Sequence, residues 1–127
     1  MTRKIIHSDD APKAIGPYNQ AVKVGNTLYM SGQIALDSTS GKLVGDEIKS
    51  ETHQVMKNLR AVLKAADMDF GNVVKSTLYI TYMDHYADIN EVYGSYFDAE
   101  NAPARETVQV SRLPKDVNIE ISMIAVK

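Results

Sequence analysis

The sequence predicts an α+β fold in which a mixed sheet of roughly six strands carries two helices on one face. Three observations indicate this class. The length of 127 residues suits one domain spanning residues 1–127. Strand-like and helix-like periodicities follow one another in the order β-β-β-α-β-α-β-β. Crossovers between strands of one sheet are overwhelmingly right-handed, so the two helices should lie on the same face.

The first half of the chain is mostly strand and turn. Residues 4–6 form a short strand candidate, and a loop containing Pro12, Gly16 and Pro17 follows it. Two β-like runs, 18–24 and 27–35, are separated by Gly25-Asn26, a pair typical of a tight hairpin. Residues 37–42 have the composition of a turn.

The periodicity changes to 3.6 over residues 48–66, which predicts a helix of roughly five turns. Its apolar face is formed by Ile48, Val55, Leu59, Val62, Leu63 and Ala66. We expect its solvated side to carry Lys49, Glu51, Lys57, Arg60 and Lys64.

A strand is predicted at 73–82 from its alternating pattern. One of its faces should carry Val74, Ser76, Leu78, Ile80 and Tyr82. Asp84 is then a plausible N-cap for the second helix. The apolar stripe of that helix is formed by Tyr86, Ile89, Tyr93, Tyr96 and Phe97.

The remaining elements are a loop at 101–104, a strand near 107–111, a turn at 113–116 and a closing strand at 117–126. The two helices leave the other face of the sheet uncovered, with Tyr79, Ile124 and Val126 among its residues. Such a half-apolar surface favours a partner subunit.

Composition excludes several functions. Apolar residues make up 44% and charged residues 24%, as in an average globular domain. Fourteen Lys and Arg against sixteen Asp and Glu give a net charge of −2, whereas nucleic-acid-binding proteins usually carry a basic excess. We therefore expect no nucleic-acid partner. The absence of cysteine excludes disulfides, thiolate metal sites and a cysteine nucleophile.

Membrane and export signals are lacking. No stretch approaches the roughly 18 consecutive apolar residues of a membrane helix. Residues 1–8 are followed by no apolar segment of the roughly 7–15 residues that a signal peptide needs. We expect a cytoplasmic protein without a membrane partner.

No residue pattern predicts a metal or nucleotide site. His7, His53 and His85 lie far apart and have no ligand spacing, which favours three surface histidines. The glycine-rich nucleotide motifs and the nucleophile-elbow motif are also missing.

Three other residues each allow a structural and a functional interpretation. Glu120 is either part of a solvated polar sheet face or a carboxylate at a subunit junction, where it could orient a water or move a proton. Arg105 either forms a surface salt bridge, with Glu106 or Asp98, or grips a carboxylate with its planar fork. Tyr18, in a loop, is either packing or part of a site.

Five segments resemble the reactive intermediate deaminase (RidA, YjgF) family in order and spacing. They are Ile15-Gly16-Pro17-Tyr18, Met30-Ser31-Gly32-Gln33-Ile34, Pro103-Ala104-Arg105, Arg112-Leu113-Pro114-Lys115 and Ile119-Glu120-Ile121. The similarity covers essentially the whole chain. It implies a chorismate-mutase-like α+β fold assembled as a homotrimer, with a cleft at each subunit interface.

The resemblance also implies a reaction. Family members of this branch, the 2-iminobutanoate/2-iminopropanoate deaminases, hydrolyse the reactive enamines and imines released by pyridoxal-phosphate enzymes. Examples are 2-aminoacrylate and 2-iminobutanoate, and the products are 2-keto acids and ammonia. The resemblance implies no metal and no organic cofactor.

Carried over to this chain, the resemblance implies that Arg105 binds the carboxylate of the substrate. Glu120, with the backbone carbonyl of Thr107, would position the attacking water, and Tyr18 would line the pocket near the imine. The pocket wall would include Ser31 and Gly32, with Asn90 as a secondary substrate-binding candidate.

Two departures from the family pattern affect rate and substrate range. Glu106 replaces a small or apolar residue and could draw Arg105 aside, and Thr107 stands where some relatives have Cys.

Two alternative functions stay open. One is a non-catalytic module that binds 2-keto acids or other small carboxylates, and the other is an endoribonuclease or translation inhibitor.

Overall fold

The computed structural model describes residues 2–127, and its element order matches the predicted one. The strands are β1 Arg3–Ile6, β2 Ala21–Val24, β3 Thr27–Met30, β4 Val73–Ile80, β5 Ala104–Gln109 and β6 Ile119–Val126. The helices are α1 Ile48–Ala65 and α2 Tyr86–Gly94. Short 3₁₀ turns precede β4, α2, β5 and β6.

The six strands form one mixed sheet in the order β1-β2-β3-β6-β4-β5. β4 and β5 pair in parallel, and the other neighbours pair antiparallel. A parallel pair requires a crossover, which α2 provides. Both helices pack on the same face, where the core of the domain lies. The predicted α+β class with a mixed six-stranded sheet and two helices is thereby confirmed.

The predicted hairpin at Gly25-Asn26 is present, with Val24 paired to Thr27 and Gly25 in the left-handed region at φ 59°. Both of its strands are shorter than predicted. β2 begins only at Ala21, because the preceding residues form a turn closed by the Tyr18 amide and the Gly16 carbonyl at 2.9 Å. β3 ends at Met30 rather than at residue 35.

α1 buries the predicted apolar stripe, including Val55, Leu59 and Leu63, none of which is exposed. The prediction that Glu51 lies on the solvated side is wrong. Glu51 is only 1% exposed, and its carboxylate accepts hydrogen bonds at 2.8 Å from the backbone amide and the side-chain amide of Asn118. The segment entering β6 passes over the first turn of α1 and supplies the donors that allow this carboxylate to be buried.

A β-bulge corrects the predicted faces of β4. The pairing with β6 shifts between Val73 and Lys75, so Val73 turns into the core while Val74 is 49% exposed. Ser76, Leu78 and Ile80 are fully buried, as the alternation predicts. The prediction for Tyr82 is wrong, because β4 ends at Ile80 and Tyr82, at the start of the next 3₁₀ turn, is 53% exposed.

The start of α2 and the start of β5 also differ from prediction. Asp84 lies inside the 3₁₀ turn Met83–His85 and does not cap α2, whose N-cap is His85 without a side-chain cap bond. Tyr86 was predicted in the buried stripe but is 41% exposed. β5 begins at Ala104, three residues before the predicted start at 107.

The sheet face opposite the helices is the outer face, as the strand alternation predicts. It carries the half-buried residues Tyr79, Glu120, Ser122, Ile124 and Val126. No helix within residues 2–127 is long and apolar enough to cross a bilayer.

Candidate functional site

Arg105 is held on the helix side of the sheet by two tyrosines of α2. It pairs with the buried Ser76 of β4, so the two side chains share a face. Its Nη2 donates to the Tyr86 hydroxyl at 3.0 Å. Its guanidinium carbon lies 4.9 Å from the ring centroid of Tyr93 and 5.6 Å from that of Tyr86. The Tyr93 hydroxyl in turn donates to Ser76 Oγ at 2.9 Å.

The two predicted salt-bridge partners of Arg105 are engaged elsewhere. Glu106 lies on the opposite face, where it accepts from Thr77 and forms an ion pair with Lys75 at 2.9 Å. The hydrogen bond from Thr77, followed by that from Lys75, lowers the pKa of Glu106. The Asp98 side chain accepts from the Glu100 amide at 3.3 Å. Within residues 2–127 the guanidinium of Arg105 forms no ion pair, which leaves donors for a carboxylate from outside the chain.

Thr107 and Asn90 complete this group, which we term the helix-side cluster: Arg105, Thr107, Asn90, Tyr86 and Tyr93. Thr107 follows Arg105 by two residues and therefore shares its face. Among residues 2–127, Thr107 Oγ1 and Asn90 Oδ1 are buried polar atoms without a hydrogen-bond partner. The cluster thus contains polar groups that the chain itself leaves unsatisfied.

Tyr86 and Tyr93 contact Arg105 but are absent from the site residues predicted from the sequence. Both were assigned to the apolar stripe of the second helix. Their spacing of seven residues, two helical turns, already places both rings on one face of α2. What the spacing could not show is that this face meets the edge strand that carries Arg105.

Glu120 lies on the outer face, paired with Tyr79 of β4. Desolvation by burial raises the pKa of its carboxyl above the usual 4.5. The carboxyl group packs against the backbone of Gly32. A Cβ at position 32 would lie 2.8 Å from Glu120 Cδ, so only glycine accommodates Glu120 without a shift.

Tyr18 and Gly32 line a cleft of about 290 Å³, and the Glu120 carboxyl reaches this region through its contact with Gly32. Tyr18 is 52% exposed, and Ser31 donates from Oγ to the Asn19 carbonyl at 2.5 Å. We term Tyr18, Ser31, Gly32 and Glu120 the outer cluster. The structure therefore brings these four predicted site residues to one region of the chain.

The two clusters are not brought together within one chain. Arg105 pairs with Ser76, and Glu120 pairs with Tyr79 on the other side of the same strand. Because these positions of β4 are three residues apart, Arg105 and Glu120 point to opposite faces of the sheet. Each face carries one part of the predicted site.

Within residues 2–127 no group of three or more His, Asp or Glu side chains is placed to hold a metal ion. The chemistry available to the two clusters is that of a guanidinium, a carboxylate of raised pKa, phenols and amides.

The chain is thus a small α+β domain with Arg105 beside two tyrosine rings on one sheet face and the partly buried carboxylate of Glu120 on the other. The family model described as Endoribonuclease L-PSP matches residues 8–127, and the chain belongs to this family. The chain is also 47% identical over 127 residues to the 2-iminobutanoate/2-iminopropanoate deaminase of Mus musculus, covering 100% of this chain and 93% of the mouse protein.

Solved structures agree with this assignment. The YjgF gene product of E. coli superimposes with a TM-score of 0.92 at 40% identity, covering 98% of each chain. E. coli TdcF, solved with bound serine, has a TM-score of 0.92 at 41% identity, again covering 98% of each chain. The resemblance to the RidA/YjgF family is thereby confirmed.

Proposed function

We propose that this protein is a hydrolytic deaminase that converts reactive imines and enamines of small amino acids to 2-keto acids and ammonia. Its substrates would be 2-aminoacrylate and 2-iminobutanoate, released by pyridoxal-phosphate-dependent dehydratases. The observation that carries this proposal is the aromatic-backed guanidinium of Arg105, which forms no ion pair within residues 2–127. The deaminase name of the mouse relative and the serine bound to TdcF point to the same ligand class.

We propose that the working site forms between chains of a homotrimer. The outer cluster and the helix-side cluster lie on opposite faces of one chain, so the outer face of one subunit would have to meet the β5 edge of the next. Such a head-to-tail contact uses two different surfaces and closes completely in a ring. The uncovered and partly apolar outer face supports this arrangement.

In this site Arg105 would grip the substrate carboxylate with two parallel hydrogen bonds. Glu120 of the neighbouring subunit, with the backbone carbonyl of Thr107, would hold one water at the carbon of the C=N bond. Tyr18, Ser31 and Gly32 would form the wall around the imine, with Asn90 beside the carboxylate. Holding two reactants at near-attack distance lowers the barrier by removing the entropy of their encounter.

Hydrolysis starts from the imine, which 2-aminoacrylate reaches by tautomerisation when its terminal carbon gains a proton and its nitrogen loses one. From the imine, water is the only further reactant. The water oxygen bonds to the imine carbon while the imine nitrogen gains a proton, giving a carbinolamine. The C–N bond then breaks, ammonia leaves, and the hydroxyl loses its proton to become the keto group. A carboxyl whose pKa is raised by burial is a stronger proton acceptor than a solvated glutamate, and it can return the proton in the second step. Imines also hydrolyse spontaneously, so positioning and modest electrostatics are sufficient and no strong nucleophile is required.

Two other functions have an observation in their favour. Arg105 alone could bind a small carboxylate, which would suit a non-catalytic 2-keto acid-binding module. The description of the family model names an endoribonuclease. The net charge of −2 argues against RNA as the main ligand, because binding to the phosphate backbone of RNA requires clustered Lys and Arg.

A coupled assay separates these functions. A threonine dehydratase generates 2-iminobutanoate, and 2-ketobutyrate formation is followed with and without this protein. Faster formation supports the deaminase. Binding of 2-ketobutyrate without acceleration supports the binding module, and cleavage of RNA by the wild-type protein but not by the Glu120→Gln variant would support the nuclease.

A further inference from the structure

The guanidinium of Arg105 is restrained at two points by different tyrosines. Tyr93 is 5% exposed, and its ring lies beside the guanidinium. Tyr86 is 41% exposed to solvent, and both its ring and its hydroxyl contact the guanidinium. A free arginine side chain samples many rotamers, at an entropic cost that each ligand-binding event would have to meet. Side chains that hold the guanidinium in its binding orientation before the ligand arrives reduce that cost.

The hydroxyl of Tyr86 restrains the guanidinium in a way that a ring alone cannot. It accepts from Nη2 at 3.0 Å, which uses one of the five N–H donors and sets the rotation of the planar group. Stacking on two rings fixes the plane of a guanidinium only loosely, whereas a hydrogen bond to one nitrogen fixes which edge faces outward. A carboxylate needs two adjacent donors on one edge.

We propose that Tyr86 is a positioning residue. Its hydroxyl orients the Arg105 guanidinium toward the carboxylate of the ligand. This inference rests on the proposed function only in its choice of ligand class. The environment of the hydroxyl is consistent with the role, since a hydrogen bond from Asn90 and then the charge of Arg105 lower the pKa of Tyr86. Asn90 lies about one helical turn from Tyr86 on α2, so it and Arg105 of β5 act on the same Tyr86 oxygen.

The test replaces Tyr86 by Phe, which keeps the ring and removes only the oxygen. Tyr82→Phe is the matched control, because Tyr82 is 53% exposed, contacts His85 edge to face and is absent from both clusters. We expect Tyr86→Phe to weaken 2-ketobutyrate binding, measured by calorimetry, by about fivefold, as for loss of one hydrogen bond. The KM for 2-iminobutanoate should rise by a similar factor while kcat changes by less than about twofold, because the hydroxyl acts on binding rather than on the water.

A double-mutant cycle identifies the residue through which Tyr86 acts. In an Arg105→Lys background, Tyr86→Phe should weaken 2-ketobutyrate binding no further, because the oriented fork is already lost. Unchanged binding by Tyr86→Phe, an equal loss in Tyr82→Phe, or an additive loss in the cycle would each overturn the proposal.

Two outcomes separate the role of Tyr86 from the deaminase activity. If the wild-type protein binds 2-ketobutyrate but does not accelerate imine hydrolysis, the deaminase is overturned, and the effect of Tyr86→Phe on binding still decides the role of Tyr86. If the wild-type protein accelerates hydrolysis and Tyr86→Phe has the wild-type KM, the deaminase stands and the positioning role is overturned.

Discussion

Arg105 and Glu120 lie on opposite faces of one sheet, because their partners on β4, Ser76 and Tyr79, are three residues apart. A single chain therefore contains both chemical groups of the predicted site but cannot apply both to one small ligand.

Light scattering at micromolar concentration should show a particle of about 42 kDa, three times the 14.0 kDa chain. A charge on the outer face, introduced by Ile124→Glu, should shift the protein toward the monomer and remove activity at the same time. The same type of substitution at Leu43, which is exposed and lies outside the six strands, is the control, in Leu43→Glu. A wild-type monomer would contradict the trimer.

Mixed assemblies test whether the site is shared between chains. Arg105→Lys chains and Glu120→Gln chains should each be nearly inactive alone. When they are co-expressed, random mixing should restore about one quarter of the wild-type sites, because one interface then receives an intact Arg105 and an intact Glu120 from different chains. If mixing restores no activity while mixed trimers are demonstrated by mass spectrometry, the shared site is wrong.

Arg105→Lys should be nearly inactive in imine hydrolysis although it keeps the positive charge. Lysine lacks the planar fork and cannot reproduce two parallel hydrogen bonds. Arg60→Lys is a matched control, since Arg60 also lies over aromatic rings, those of Phe70 and Tyr96, away from both clusters. Thermal unfolding of the two variants should be similar, and near-wild-type hydrolysis by Arg105→Lys would show that Arg105 does not hold the carboxylate.

Glu120→Gln should lower the rate of hydrolysis by roughly 10²-fold or more, as for loss of a positioned acid or base. Binding of 2-ketobutyrate should change much less, because Arg105 is untouched. Glu91→Gln, at an exposed carboxylate paired with Lys49, serves as the control. Loss of binding in step with the rate would indicate a structural role, and an unchanged rate would indicate an ordinary polar face.

The pH dependence of imine hydrolysis should report the protonation of Glu120. If the carboxylate form of Glu120 holds the water, activity falls as pH falls through its pKa in the folded protein. Burial raises that pKa above 4.5, so the loss should occur at higher pH than for a solvated glutamate. The acid limb of kcat/KM, measured after correction for spontaneous hydrolysis, should be absent in Glu120→Gln.

Gly32→Ala should reduce activity by roughly 10- to 100-fold, because a new Cβ at 2.8 Å from Glu120 Cδ would displace the carboxyl group. Gly45→Ala is the control, since nothing lies within 4 Å of a Cβ at that position. Kinetics and circular dichroism of both variants check the result. Wild-type activity in Gly32→Ala would show that the position of Glu120 is not critical.

Several features of the fold could be predicted from the sequence because they depend on neighbours along the chain. The hairpin at Gly25-Asn26, the apolar stripe of α1 and the element order all follow from turn chemistry and periodicity. The bulge that turns Val73 inward could not be predicted, since it depends on the pairing of β4 with β6. The burial of Glu51 likewise depends on Asn118, which is 67 residues away along the chain.

The same distinction applies to the site. The motifs of this one chain determined its family and the residue types available for chemistry, including Arg105, Glu120 and Tyr18. Only the tertiary structure decided that Tyr86 and Tyr93 enclose Arg105 and that Gly32 supports Glu120. It also decided that the two clusters lie on opposite faces of the sheet. Periodicity reports which face of its own element a residue occupies, whereas strand register and crossover handedness decide which distant residues that face meets.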